Sequence, residues 1–177
     1  MSKVSELHKK SSPTVAGVYV LTCSTSKFKE LQRKEQSDDE SGDLIERLAS
    51  DAGHKIAGRK LIADSKPMIR HALKTALSKR DVDVLIITGG TGLSQTDVTI
   101  ETIAPILERH IPGFGEIFRR ISYDEIGSPA MMSRAFAGTV KGKAVFCLPG
   151  SPNGVNTAMK NLILPELGHL IGLSRRS

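Results

Sequence analysis

The run 82–88, Val-Asp-Val-Leu-Ile-Ile-Thr, opening directly into Gly89, Gly90, Thr91 and Gly92, constrains this chain more than any other stretch. The small β-branched and aliphatic residues over 82–87 suit a strand covered on both faces. Three glycines then let backbone N–H groups turn toward a ligand with no Cβ in the way, and an anion is the natural occupant. Asp97, at the far end of the loop, is placed to hold a metal on the same anion. A tight strand-to-helix connection is the alternative for the same residues. The loop is not a Walker A motif, because no Gly-Lys-Ser or Gly-Lys-Thr follows it. Nor is it a dinucleotide fingerprint, because Thr91 sits between the last two glycines.

The 177 residues, 39% of them hydrophobic, fit one domain with a full core, and no stretch is long enough to span a membrane. Residues 1–13 are polar and Ser/Lys-rich, with no apolar signal core, so they read as a flexible extension ahead of a domain over 14–177 in a cytoplasmic protein. Cys23 and Cys147 fall in expected strands, away from any metal-ligand spacing, and read as small core residues. The net charge of +6 and pI near 9.4 admit a nucleic-acid partner, but the cations are dispersed and aromatics make up only 4%. A nucleic-acid role is therefore set aside. Histidines at 8, 54, 71, 110 and 169 form no zinc pattern.

Periodicity places a strand over 16–23, a polar loop over 24–38 and an amphipathic helix from 41 to about 53. A strand over 55–62, a helix beginning near Pro67 and the strand over 82–88 follow. Further on come a helix from about Val98 interrupted at Pro105, a helical stretch over 112–120, an ambiguous segment over 127–134, a strand over 144–148 and a closing helix over 154–170. The β-α-β-α-β alternation predicts an α/β fold, a three-layer α/β/α arrangement around a mostly parallel central sheet. Ligands of such sheets gather at strand C-termini. There the sequence places 24–26, Asp64, 88–92 and the turn Pro149-Gly150-Ser151. In the ambiguous segment, Ser133 and Arg134 offer a hydroxyl and a guanidinium to a phosphate, or a cap and a surface ion pair.

These stretches, together with Asp-Glu-Ser-Gly at 39–42, Asp-Val-Thr at 97–99 and Pro-Gly-Phe-Gly-Glu at 112–116, resemble the MoaB/MogA family of molybdenum cofactor biosynthesis over about 15–172. The resemblance implies a molybdopterin adenylyltransferase, which moves AMP from Mg-ATP to the terminal phosphate of molybdopterin and releases pyrophosphate. Such a transfer needs positioning and charge neutralisation rather than a protein nucleophile. Carried over by position, Asp64 and Asp97 are the catalytic pair and the Mg²⁺ ligands, and both positions also suit helix caps. Thr88, Gly89, Gly90, Thr91 and Gly92 would cradle the nucleotide phosphates. Ser133, Arg134, Pro149, Gly150 and Ser151 are the molybdopterin candidates. Glu116, read as a buried carboxylate, would recognise a base or lock its own loop.

Two positions depart from the family pattern: Thr96 stands where a basic residue often precedes the second aspartate, and Ser24-Thr25-Ser26-Lys27 replaces an acidic-basic pair. The resemblance also implies a trimer or hexamer and a downstream molybdate-insertion enzyme as partner. Other users of the fold, that insertion enzyme and the CinA family, carry additional domains, and the chain length favours neither. The alternative from a different class is a molybdopterin-binding or scaffold module without adenylylation.

Overall fold

The computed structural model describes residues 15–33, 35 and 37–175. The extension expected at 1–13 lies outside them. The first strand, β1 (Gly17–Cys23), leads into α1 (Thr25–Gln32) and α2 (Glu40–Asp51). Next come β2 (Lys55–Ile62), α3 (Lys66–Ser78) and β3 (Val84–Thr88). A short α4 (Thr99–Ile103) gives way to a 3-10 turn at Ala104–Ile106, since Pro105 sits in its first turn. Then follow β4 (Arg109–His110), α5 (Pro112–Ile126), a 3-10 turn at Ser128–Met132, β5 (Phe136–Val140) and β6 (Lys143–Leu148). The closing helix runs as α6 (Pro152–Ala158), a π segment (Met159–Ile163) and α7 (Leu164–Ser174). Pro165 explains the interruption, because it has no N–H for the carbonyl one turn back.

The six strands lie in the order β2-β1-β3-β6-β5-β4. The first four are parallel, and β5 and β4 extend the sheet antiparallel. The expected three-layer α/β/α fold with a mostly parallel sheet is what forms. Strict alternation splits the core. Val18, Val20, Val84, Ile86, Phe146 and Leu148 face one side, against α2, α5 and the closing helix. Tyr19, Leu21, Leu85, Ile87, Val145 and Cys147 face the other, against α3 and α4. Every residue of β3 is buried, as a strand at the centre of two covered faces must be.

Four elements differ from the sequence reading. The loop expected over 24–38 contains α1, which buries none of its residues and so carries no apolar stripe to signal it. Its Lys, Glu, Leu and Gln residues favour helix by intrinsic propensity instead. The pair β4 and β5 gave no signal: one is two residues long, and the other is small and glycine-bearing. Close approach explains that glycine, since a Cβ at Gly138 would meet the Arg109 carbonyl oxygen at 2.4 Å. Finally, α5 continues past Arg120 to Ile126.

Candidate functional site

Parallel pairing aligns the strand C-termini, because Thr22 sits opposite Thr88 and Thr88 opposite Leu148, while Cys23 pairs with Ile62. The chain crosses from β1 out to β2 and back past it to β3, so a topological switch lies between β1 and β3. Above that switch opens a cleft of about 740 Å³. Its walls include Asp64, Asp97, residues 88–92, Ser133 and residues 149–151.

The glycine turn is fixed by its neighbours. Gly89 has φ +91°, and a Cβ there would meet the Cys23 carbonyl oxygen at 2.1 Å. Gly90 has φ +62°, and a Cβ there would fall 2.4 Å from Thr99 Oγ1 and 2.7 Å from Asp64 Oδ1. Both are left-handed conformations that glycine adopts without penalty. The Thr88 hydroxyl donates to the Pro149 carbonyl at 2.7 Å, and the Gly89 N–H donates to Leu148 at 3.2 Å. Thr99 closes the turn from the far side, its hydroxyl donating to Gly89 O at 2.9 Å and its N–H to Gly90 O at 3.0 Å. Thr88 and Gly89 therefore spend these groups on the loop itself. The N–H groups of Gly90, Thr91 and Gly92 donate to no protein acceptor among the described residues, and they remain for a ligand.

Arg134 sits behind this loop rather than in the cleft. Its guanidinium donates to the carbonyls of Thr91 at 3.1 Å, Asp97 at 3.4 Å and Gly92, and it pairs with Glu101. In a trans peptide C=O and N–H point opposite ways, so holding the Thr91 carbonyl turns the Gly92 N–H away from the guanidinium. Burial opposes ionisation of Glu101, but Arg134 outweighs it and holds the carboxyl below its usual range. The guanidinium expected at a phosphate is thus placed on the loop carbonyls and Glu101.

Asp64 is held by the helix the sequence reading missed. Its Oδ2 accepts from the Thr25 N–H at 2.8 Å and the Thr25 hydroxyl at 2.9 Å, and its own N–H donates back to Thr25 Oγ1 at 3.0 Å. Its Oδ1 is buried with no hydrogen-bond partner and lies against the Gly90 turn. A buried carboxylate oxygen without a partner is costly and marks a place where a cation or donor binds. Asp97 accepts from the Ser94 N–H at 2.9 Å through Oδ2, which packs against Gly92. Oxygen donors of this kind suit a hard cation such as Mg²⁺, which takes one or two carboxylates and completes its shell with phosphates and water. No cluster of three or more His, Cys, Asp or Glu ligands exists among the described residues, so a full protein cage is not built here.

The other expected site residues divide. Ser133 lines the cleft, its Oγ accepting from the Ala135 N–H at 3.3 Å. Ser151 lines it too and caps α6 by accepting from the Gly154 N–H at 3.3 Å. Gly150 joins the site to α2, its carbonyl accepting from the Ser41 hydroxyl at 2.8 Å. Glu116 does not belong: it is exposed on α5 and borders a separate depression with His110 and Arg119. At helix position 116 it points away from Phe114 and Phe118, whose rings take the buried face.

Sequence reasoning overlooked several wall residues. Buried Asp39 accepts from the Thr22 hydroxyl at 2.7 Å and pairs with Arg59 at 2.8 Å. Burial works against the Arg59 charge, but Asp39, Asp43 and Glu46 outweigh it and raise its pKa. Lys27 is the only cation among the described residues lining the cleft. Cys23 also lines it, yet burial pushes its thiol up to about 12; the charge of Asp64 adds to this, and a hydrogen bond with Thr99 only partly offsets it. Such a thiol is no nucleophile at neutral pH. Glu125 is a further overlooked carboxylate. The Asp-Glu-Ser-Gly motif was the available signal for Asp39, and the stretch Ser24-Thr25-Ser26-Lys27 that replaces an acidic-basic pair was the one for Lys27; Glu125 had none.

The family model described as a probable molybdopterin binding domain matches residues 19–169, which takes in all of the sheet except the first two residues of β1, and the cleft. This chain belongs to that family. Among its relatives, molybdenum cofactor biosynthesis protein B of Bacillus cereus is 44% identical over 164 residues, covering 92% of this chain and 93% of that protein. A probable molybdopterin adenylyltransferase of Methanocaldococcus jannaschii is 40% identical over 153 residues, covering 86% and 90%. A crystal structure of a molybdenum cofactor biosynthesis protein B superposes with a TM-score of 0.85 at 42% identity, covering 94% of this chain and 99% of that one. The molybdopterin-binding family thus accounts for the mixed sheet as well as the sequence motifs.

Proposed function

We propose that this chain is a molybdopterin adenylyltransferase working in molybdenum cofactor biosynthesis, with Mg-ATP and molybdopterin as its substrates. An oxygen of the terminal phosphate of molybdopterin attacks the α-phosphorus of ATP. A new P–O bond forms, the bond to the β-phosphate oxygen breaks, and pyrophosphate leaves with its electron pair. The observation that carries this reading is the unpartnered Asp64 Oδ1, buried against the Gly90 turn in the same cleft as Asp97 and the free N–H groups of 90–92. Asp64 and Asp97 would hold Mg²⁺, which neutralises charge on the triphosphate when bound. The loop N–H groups orient phosphate oxygens, and Lys27 brings a positive charge to the cleft. No protein nucleophile is required, in keeping with the protonated Cys23 thiol.

The same reading treats 14–177 as one molybdopterin-binding domain of a cytoplasmic protein that hands its product to a molybdate-insertion enzyme. It also expects a homo-oligomer, trimer or hexamer. Leu93 and Met131, 68% and 78% exposed, offer apolar surface to such an assembly. No helix among the described residues is long and apolar enough to cross a membrane.

Mixed with molybdopterin and Mg-ATP, the protein is expected to release pyrophosphate only when both are present. Release without molybdopterin, or none with both, contradicts the reading. Arg134→Lys should raise KM for Mg-ATP about 10-fold with a smaller effect on kcat, because a lysine cannot reach three carbonyls with one planar fork. An unchanged KM would show that the loop holds its shape without the guanidinium.

A further inference from the structure

Along α5, Phe118, Ser122 and Glu125 recur at i, i+4 and i+7, and this stripe forms one wall of the cleft. Ile126, Pro129, Ala130 and Met132 continue the wall and make it largely apolar. Glu125 is exposed to the cleft but not loose. The buried Thr157 hydroxyl lies 2.9 Å from Oε1 and 2.8 Å from Oε2, and Asn153 Nδ2 lies 3.4 Å from Oε2. One hydroxyl donates a single hydrogen, so most of the lone pairs of this carboxylate stay available. Among the described residues no Lys, Arg or His forms an ion pair with it.

An unpaired carboxylate repels phosphate, so in a cleft that takes polyanions its neighbourhood suits an uncharged ring. Two rings enter under the adenylyltransferase reading, and their hydrogen-bonding edges differ. Adenine presents one amino donor beside a ring-nitrogen acceptor, which a carboxylate meets badly. The aminopyrimidinone edge of a pterin presents two adjacent donors, N3–H and the 2-amino group, which match two carboxylate oxygens. We propose that Glu125 is the specificity-determining residue that receives the aminopyrimidinone edge of the pterin, with Thr157 fixing its orientation. The proposal rests on the function above and deepens it: the apolar wall of α5 takes the pterin, and the purine binds elsewhere in the cleft.

The test uses the intact protein. Pyrophosphate release gives KM for molybdopterin and for Mg-ATP in wild type and in Glu125→Gln, whose amide offers one acceptor and one donor in place of two acceptors. The expected result is a KM for molybdopterin about 10- to 100-fold higher, with KM for Mg-ATP unchanged. 6-Hydroxymethylpterin and its 2-oxo counterpart serve as competing probes, and wild type should prefer the first by about 10-fold or more. That comparison needs no variant. Loss of the preference in Glu125→Gln supports the assignment. A raised KM for Mg-ATP instead, or equal inhibition of wild type by the two probes, overturns it while leaving the adenylyltransferase standing. Wild type that releases no pyrophosphate and binds neither probe removes the underlying reading itself.

Discussion

Asp64→Asn is expected to lower kcat for adenylyl transfer by about 10²- to 10³-fold, the size of effect seen when one electrostatic contact to a developing charge is lost. The fold should not suffer. The amide oxygen of Asn still accepts from the Thr25 N–H and hydroxyl, and the amide nitrogen takes the place of the oxygen that has no partner. The swap weakens the charge assistance of those two bonds, but it also removes a carboxylate oxygen buried without a partner, and the two effects offset each other. The melting temperature is thus expected to stay level while activity collapses. A residue with a purely structural role would give the opposite pair of results: activity falling in step with stability. Steady-state pyrophosphate release together with calorimetry on the same preparation distinguishes the two.

Gly89→Ala carries the largest expected effect on stability, about 2–5 kcal/mol, combining left-handed strain with overpacking. At φ +91° the new Cβ would lie 2.1 Å from the Cys23 carbonyl oxygen, a backbone atom of a central strand that cannot swing aside. For a domain of this size that corresponds to a fall of roughly 5–15 °C in melting temperature. Activity should fall with it, since shifting β1 at Cys23 also shifts Thr25 and the carboxylate it holds. Gly113→Ala is the control, because nothing lies within 4 Å of a Cβ there. A calorimetric scan showing equal melting temperatures for the two variants would contradict this account of the turn.

Much of the architecture was legible because burial leaves a pattern. The strand over 55–62 was read with its observed bounds, and the unbroken apolar run Val84–Ile87 of β3 announced a sheet covered on both faces. The parallel order then brought Asp64, Asp97, the glycine turn and residues 149–151 to one edge. What remained illegible had no pattern to leave. The helix α1 buries nothing, yet its first residue holds Asp64. Arg134 is indistinguishable in sequence from a phosphate-binding arginine, and only the geometry turns its guanidinium onto the loop carbonyls. Glu116 and Glu125 sit on the same helix; position along it places the second in the cleft and the first outside.

The central claim, that this cleft joins AMP to a pterin phosphate, is tested most directly by mass spectrometry of the product. Wild-type protein incubated with molybdopterin and Mg-ATP is expected to yield adenylyl-molybdopterin, and Asp64→Asn at the same concentration almost none. Molybdopterin recovered unmodified from wild type, although bound and supplied with excess Mg-ATP, would contradict the claim and leave a binding module in its place.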